Sequence, residues 1–257
     1  MTTISIDNLK KEYPGQVVLE RVNLELTEKA FCSIVGASGC GKSTFLRILL
    51  GQENQTSGRI TIDGAPLPVD PGPDRGIVFQ RYSVFPHLTA TENVAFGLET
   101  ERAPLLGRLF GTPRKAALDE ARAYLSAVGL DHAADQYPAE LSGGMQQRLA
   151  IAQALVKRPK VLLLDEPFGA LDPGIRTDMH DLITKLWDEN DMTVFMVTHD
   201  LEEGFKLGTR LLVFDKVRID PDEPGAFGAT ITYDLPLENK NNNELKDIQN
   251  LDRKKKD

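Results

Sequence analysis

The stretch FCSIVGASGCGKSTFLRILLG constrains the fold more than any other part of the chain. A short apolar run ends at Gly36, further glycines follow at Gly39 and Gly41, and an apolar-periodic segment starts with Lys42. The pattern predicts a buried strand, a tight loop, and a helix that begins within GKST and stops near Gly51. Glycines let such a loop aim successive N–H groups at one point, where the helix N-terminus adds positive partial charge. The loop therefore suits a phosphate chain. Its candidate residues are Gly36, Ala37, Ser38, Gly39, Cys40, Gly41, Lys42, Ser43 and Thr44. Lys42 would reach the outer phosphates, and Ser43 would set its hydroxyl on Mg2+. A glycine-rich turn serving only to start a helix would not need Gly-Lys-Ser-Thr in register. The loop points to a nucleotide without saying which reaction follows.

A second anion device lies further along, at LSGGMQQR, residues 141–148. Ser142, Gly143 and Gly144 form a turn that opens a helix, so backbone N–H groups and a helix dipole again face an anion. Two such devices on one chain suggest that two copies share each nucleotide.

VLLLDEP at 161–167 reads as a buried strand ending in two carboxylates. Asp165 is placed to hold Mg2+ through water. Glu166 is the candidate for polarising an attacking water, because phosphoryl hydrolysis needs a positioned nucleophile and neutralised charge. Gln80 is expected to end the strand GIVFQ, and His199 likewise to end the strand TVFMVT. The C-terminal edge of an open α/β sheet is where ligands gather, which draws both residues toward the site. Gln80 would contact Mg2+ or the water and sense loss of the terminal phosphate. Tyr13, before the Pro14-Gly15 turn, either stacks on a base or simply packs at a strand end.

Length and composition frame these motifs. With 257 residues, 41% of them hydrophobic, one elaborated domain can bury a sizeable core. A net charge of −8 argues against a general nucleic-acid binder. Cys32 and Cys40 sit in the strand and the loop just described, so neither a disulfide framework nor a zinc site is expected, and a reducing cytosol fits. MTTISIDNLKKEY lacks the apolar core of a secretory signal, and no apolar run approaches the ~20 residues of a membrane helix. Membrane association would then come through a partner.

TISIDNL, VNLEL and RITIDG alternate as strands, whereas residues 87–157 read as helical, with Leu118, Ala121, Leu125 and Val128 at helical spacing. Strand–helix alternation resumes with KVLLLD, an amphipathic helix using Ile175, Met179, Leu182, Ile183 and Leu186, and TVFMVTHD. The expected architecture is α/β: a mainly parallel core with an N-terminal antiparallel β subdomain and an inserted α-helical subdomain. Its parts are residues 1–86 with 158–227 as the core and β subdomain, 87–157 as the helical subdomain, and 228–257 as a last strand and mobile polar tail. Leu105, Leu106, Leu109 and Phe110, in a long link at 99–115, either bury locally, the expected reading, or form a surface patch for a partner.

In order, Tyr13, GASGCGKST, Gln80, LSGGMQQR, VLLLDEP, GALD and His199 resemble the ATP-binding cassette subunits of ABC transporters over about residues 1–215. The resemblance implies a P-loop NTPase (RecA-like) core. It makes Tyr13 the adenine-stacking aromatic, Gly36–Ser43 the Walker A loop, Gln80 the Q-loop residue and Asp165 with Glu166 the Walker B pair and catalytic carboxylate. Ser142, Gly143 and Gly144 become the signature meeting the γ-phosphate held by the opposite subunit, Asp172 the D-loop residue, and His199 the switch histidine. It also implies a head-to-tail homodimer sandwiching two ATP molecules with Mg2+, no nucleic-acid partner, and a place on the cytoplasmic face of a membrane through a permease. RYSVFPHLTATENVAFGLE is similar to the permease-docking stretch of importer subunits, especially the nitrate/sulfonate/taurine and urea-type group, which work with an extracytoplasmic solute-binding protein. A proline-glycine pair right after Asp172 departs from the usual pattern and changes the helix entry there.

Two other readings compete. A soluble ABC ATPase of an assembly scaffold, such as one for iron–sulfur clusters, is opposed by the importer-like stretch after Gln80. A module that closes on ATP without hydrolysing it is opposed by Glu166.

Overall fold

The computed structural model describes residues 2–80, 83–103, 108–223 and 225–237. Leu105, Leu106 and the polar tail from Glu238 onward lie outside them. The chain divides into two compact units, Met1–Pro71 with Asp191–Asp257, and Gly72–Asn190.

The elements run β1 (Ile4–Tyr13), β2 (Gln16–Leu26), β3 (Phe31–Gly36), α1 (Lys42–Leu50), β4 (Ser57–Ile62) and β5 (Ala65–Pro66). The second unit then supplies β6 (Arg75–Val78), α2 (Ala90–Arg102), α3 (Gly111–Ala127), α4 (Gly143–Leu155), β7 (Val161–Asp165) and α5 (Pro173–Glu189). The chain returns to the first unit for β8 (Thr193–Val197), α6 (Leu201–Leu207), β9 (Arg210–Asp215) and β10 (Thr230–Pro236).

In the first unit, β2, β1, β4 and β5 form an antiparallel sheet in that order. Its buried face comes from alternate residues, Ile4 and Ile6 facing inward with Leu24, Leu26, Ile60 and Ile62. The β1–β2 hairpin runs further than the alternating segments suggested. Tyr13 pairs with Gln16 across Pro14-Gly15, and the positive φ of Gly15 (+77°) closes this tight turn.

The other sheet of this unit has the order β10-β9-β3-β8. Strand β3 is parallel to both neighbours and β10 is antiparallel to β9. FCSIV is buried throughout, as a strand covered on both faces must be. Behind it, Phe45 of α1 meets Phe195 of β8 edge-on at 6.0 Å and Phe214 of β9 at 5.2 Å. Such aromatic pairs add about 0.5–1.5 kcal/mol each beyond their area burial. On the other side, Phe205 of α6 packs with Val35, Leu211 and Leu237. Arg210 ties the sheet edge, its Nε and Nη2 bonding both Asp234 oxygens at 2.5 and 2.6 Å while Nη1 reaches the Glu25 carbonyl at 2.9 Å.

In the second unit, β6 and β7 pair in parallel from Arg75–Val161 to Val78–Leu164. Helix α2 starts at Ala90, where Thr89 and Glu92 form a capping box. Ala121, Leu125 and the C-cap Val128 are buried along α3 as the helical spacing required, joined by Ala117, whereas Leu118 is only half-buried. Arg114 bridges α3 to α2 through Glu92 at 3.0 Å and Glu99 at 3.1 Å. Phe110 corrects the expectation of local burial, standing 67% exposed. It occupies the N-cap of α3 with an extended backbone, which takes its side chain off the helix's buried stripe. No helix among the described residues is long and apolar enough to cross a membrane.

Candidate functional site

The glycine-rich loop leaves β3 at Gly36 and enters α1 at Lys42, the strand–loop–helix setting its sequence predicted. Gly36 has φ +149°, and a Cβ there would stand 2.1 Å from the Phe214 carbonyl oxygen of β9, so no side chain fits. Gly41 caps α1 in the left-handed region, at φ 87°. Ala37, Ser38 and Gly39 are exposed, while Cys40 and Lys42 are buried. Lys42 Nζ donates to the Gly36 and Ala37 carbonyls, each at 2.8 Å, which holds the ammonium inside the curve of the loop. Ser43 and Thr44 follow in the first turn of α1, half-buried. Burial pushes the Cys40 thiol above its ordinary value despite the nearby Lys42, and pushes Cys32 up to about 12. Both remain free thiols with little thiolate character.

Tyr13 ends β1 and is 39% exposed. Its hydroxyl donates to Glu53, the residue that follows α1 by three positions, and lies in hydrogen-bond reach of the Thr44 side chain. Lys11 sits 4.7 Å from the ring centroid, a cation–π contact. Partial burial and the Glu53 carboxylate push the Tyr13 phenol's pKa above its ordinary value. On Glu53, burial acts upward but is outweighed by bonds from Tyr13 and Arg47 and by Lys11, so its net shift is downward. The ring is thus fixed by its polar end, on the same unit as the glycine loop. Glu53 gave no sequence signal, since its partners are assembled by the fold.

His199 follows β8 by two residues rather than ending it, because the strand stops at Val197. It is exposed, on the turn that leads into α6. Thr198 keeps this turn in register with β3, its amide donating to the Ile34 carbonyl at 3.1 Å.

In the second unit, β6 also ends early, at Val78, so Gln80 lies two residues past the strand. There Gln80 Nε2 donates to Glu166 Oε2 at 3.0 Å. Asp165 is the last residue of β7, and Glu166 turns the chain with φ +48°. A non-glycine residue in that region costs about 1–3 kcal/mol and persists where the surroundings demand it. The turn aims the adjacent carboxylates of Asp165 and Glu166 differently from the strict alternation of a strand. Downstream, Leu171 N bonds the Phe168 carbonyl at 3.1 Å, and Arg176 Nη2 donates to the Leu171 carbonyl at 3.3 Å. Asp172 is the N-cap of α5 and Pro173 its first residue, the position where proline is tolerated. The Asp172 carboxylate makes no capping bond and is exposed.

Ser142 is the N-cap of α4, its Oγ accepting from the Met145 amide at 3.3 Å. Ser142 and Gly143 are exposed, whereas Gly144 is buried, and a Cβ on it would stand 2.7 Å from Ile175 Cγ2 of α5. The third residue of the signature is therefore a packing glycine, and the first two present the helix terminus.

Asn93 was missed as an organiser of the loop after Gln80. It is 1% exposed; its Oδ1 accepts from the Phe85 amide at 2.7 Å and from Gln153 at 3.0 Å. Its Nδ2 donates to the carbonyls of Phe85, Leu88 and Thr89 at 2.9–3.0 Å. Phe85 and Phe96 then meet edge-on at 4.8 Å on the exposed side.

Comparison with known proteins agrees with this geometry. A profile described as ABC transporter matches residues 19–169. The nitrate import ATP-binding protein NrtD of Synechocystis is 41% identical over 237 residues, covering 91% of this chain and 83% of that protein. The bicarbonate transport ATP-binding protein CmpC of Synechococcus elongatus is 40% identical over 239 residues, and there the match spans 34% of the longer relative. Among solved structures, the ATP-binding cassette MJ0796, a dimer in a post-hydrolysis state with ADP and Pi, aligns with TM-score 0.74 and 30% identity over 92% of this chain and 99% of that one. CbiO1 of Clostridium perfringens, part of the transporter complex cbiONQ, aligns with TM-score 0.75 and 25% identity over 91% of this chain and 88% of that one. The glycine loop, the capped signature helix and the carboxylate pair, carried on a P-loop NTPase fold, thus have one common reading: this chain belongs to the ABC transporter family, as an ATP-binding cassette.

Proposed function

We propose that the chain is the ATP-hydrolysing subunit of an ABC importer, turning nucleotide-driven closure into solute uptake through a separate permease. The observation that carries the hydrolytic part is the contact of Gln80 with Glu166. It sets a carboxylate base beside an amide that can change partner when the terminal phosphate departs.

In this reading the loop Gly36–Thr44 cradles the phosphates with its N–H groups, and Lys42 exchanges its loop carbonyls for phosphate oxygens. Tyr13, fixed by Glu53, offers its ring to adenine. Glu166 accepts the proton of the attacking water, and His199 meets the γ-phosphate. Ser142 and Gly143 complete the site of a second copy, with Asp172 reaching across the pair. Binding of ATP by both halves favours the closed dimer, and hydrolysis removes that bias.

The donors Ser43 Oγ, Gln80 Oε1 and Asp165 are all oxygen atoms, a set that fits Mg2+. With Gln80 Nε2 given to Glu166, the amide oxygen is the atom left for the cation. Bound there together with phosphate oxygens, Mg2+ would neutralise charge on the leaving group.

Residues 87–157 would form the helical part that carries the signature, and the loop organised by Asn93, with its exposed Phe85–Phe96 pair, would meet the permease. The names of NrtD and CmpC support import. Selectivity would then rest with the permease and an extracytoplasmic solute-binding protein, the chain itself lying peripherally on the cytoplasmic face. The test is reconstitution: this chain, co-expressed with a candidate permease, should copurify from membranes and hydrolyse ATP faster when the cognate binding protein is added. ATP hydrolysis with no permease recovered, and a soluble scaffold recovered instead, would overturn the importer assignment.

A further inference from the structure

A ring of hydrogen bonds encloses the backbone of His199. Thr198 Oγ1 donates to Glu203 Oε2 at 2.5 Å and accepts from the Asp200 amide at 3.0 Å. Asp200 Oδ1 in turn accepts from the amides of Glu202 and Glu203 at 2.9 and 3.2 Å, which caps α6. Both neighbours of His199 are thereby held, one by the turn and one by the helix it starts.

Glu203 is 8% exposed. Removing a carboxylate from water is costly unless its oxygens find donors, and a leucine would fill the same space without that cost. What leucine would not do is accept from Thr198. The helix bearing Glu203 is also seated closely: a Cβ on Gly204 would lie 3.3 Å from Val35, 3.4 Å from Ser33 and 3.5 Å from Thr198. Val35 and Ser33 belong to β3, the strand that feeds the glycine loop. The ring therefore references the His199 turn to the same strand that positions the phosphate cradle.

We propose that Glu203, acting with Thr198, is a positioning residue for hydrolysis, fixing the turn that presents His199 to the γ-phosphate. This rests on the assignment of His199 made above. Without the bond from Thr198 to Glu203, the turn would keep its capped helix and lose the link that sets its angle. ATP would still bind, but the histidine would sample orientations that miss the phosphate, so turnover should fall while affinity stays.

The test uses the purified full chain, with steady-state ATPase rates, nucleotide affinity by titration calorimetry, and thermal unfolding. His199→Ala should lower kcat about 100-fold, while Glu203→Ala and Thr198→Val lower it about tenfold at unchanged KM and affinity. Glu203→Gln keeps an acceptor oxygen for Thr198 and should return to within about twofold of the parent. The double variant His199→Ala with Glu203→Ala should be no slower than His199→Ala alone, because the two act as one unit. Parental turnover in Glu203→Ala, or losses that multiply in the double variant, would overturn the proposal while leaving His199 its role. Parental turnover in His199→Ala would remove the histidine assignment and the proposal with it. Should Glu203→Ala fail to fold, Thr198→Val decides, since it deletes one hydroxyl at constant shape.

Discussion

Gln80 and Glu166 are bonded side chain to side chain at 3.0 Å, although 86 residues separate them in sequence. Each lies just beyond the C-terminal end of one of two paired parallel strands, β6 and β7. The strand pairing brings their main chains close, and the left-handed turn at Glu166 directs its carboxylate to the amide. The base of the proposed reaction is thus bonded to the residue that, in the same proposal, would meet the metal and the attacking water.

Replacing Glu166 by Gln preserves size and removes the base. Hydrolysis should fall about 10²–10⁴-fold, the usual worth of a positioned proton acceptor. ATP binding should persist, so a nucleotide-loaded dimer accumulates, visible by size-exclusion chromatography with light scattering. A variant that turns over normally would end the assignment of Glu166.

Ser142 has two separable duties. As the cap of α4 it contributes about 1 kcal/mol, and in the second copy's site it would donate to phosphate. Ser142→Ala should lose both stability and hydrolysis. Ser142→Asn, a residue that caps equally well, should regain stability in denaturant titration and remain slow in turnover.

Glu92 links acidity to stability. The Thr89 backbone N–H, then the Arg114 guanidinium against an opposing effect of burial, hold its carboxyl below the usual 4.5. A depressed value means the stabilisation is present above 4.5 and is lost as pH falls through the folded-state value. Thermal unfolding should therefore show Glu92→Gln less stable than the parent at pH 7, with the gap closing as pH falls from 4.5 through the depressed folded-state value. A gap that is constant with pH would mean that charge plays no part.

Gln147, in the middle of the signature helix, is fully buried, and neither amide atom has a hydrogen-bond partner. Gln147→Met keeps the length and removes the unmet polar atoms, whose burial costs about 1–3 kcal/mol. Urea unfolding should show equal or greater stability. A clear loss would show that the amide is matched in solution.

Much of the site could be read from the chain because its motifs are local. The apolar run to Gly36, the helix from Lys42 and its stop at Gly51 were all set by short-range chemistry, and Gly51 does cap α1 in the left-handed region. Ser142 was equally legible as an N-cap. Strand ends were less so: Gln80 and His199 each fell two residues beyond their strands, because Phe79 and the β-branched Thr198 prolong a strand-like pattern past the strand end. The partners that orient the site were invisible. Glu53 under Tyr13, Asn93 under the loop, and Glu203 under Thr198 read as ordinary polar residues until distant segments meet. Phe110 failed for a different reason, since an extended backbone overrode its apolar character.

Pro173 begins α5 without an N–H to satisfy, and Asp172 before it caps nothing with its carboxylate. Local order at this corner comes from main-chain geometry and from Arg176 gripping the Leu171 carbonyl. Among the described residues, the acid at 172 consequently adds no side-chain cap to α5. Exchanging it for asparagine or serine offers an unusually clean probe of cross-talk between twin copies, one in which any functional defect cannot be blamed on a damaged scaffold.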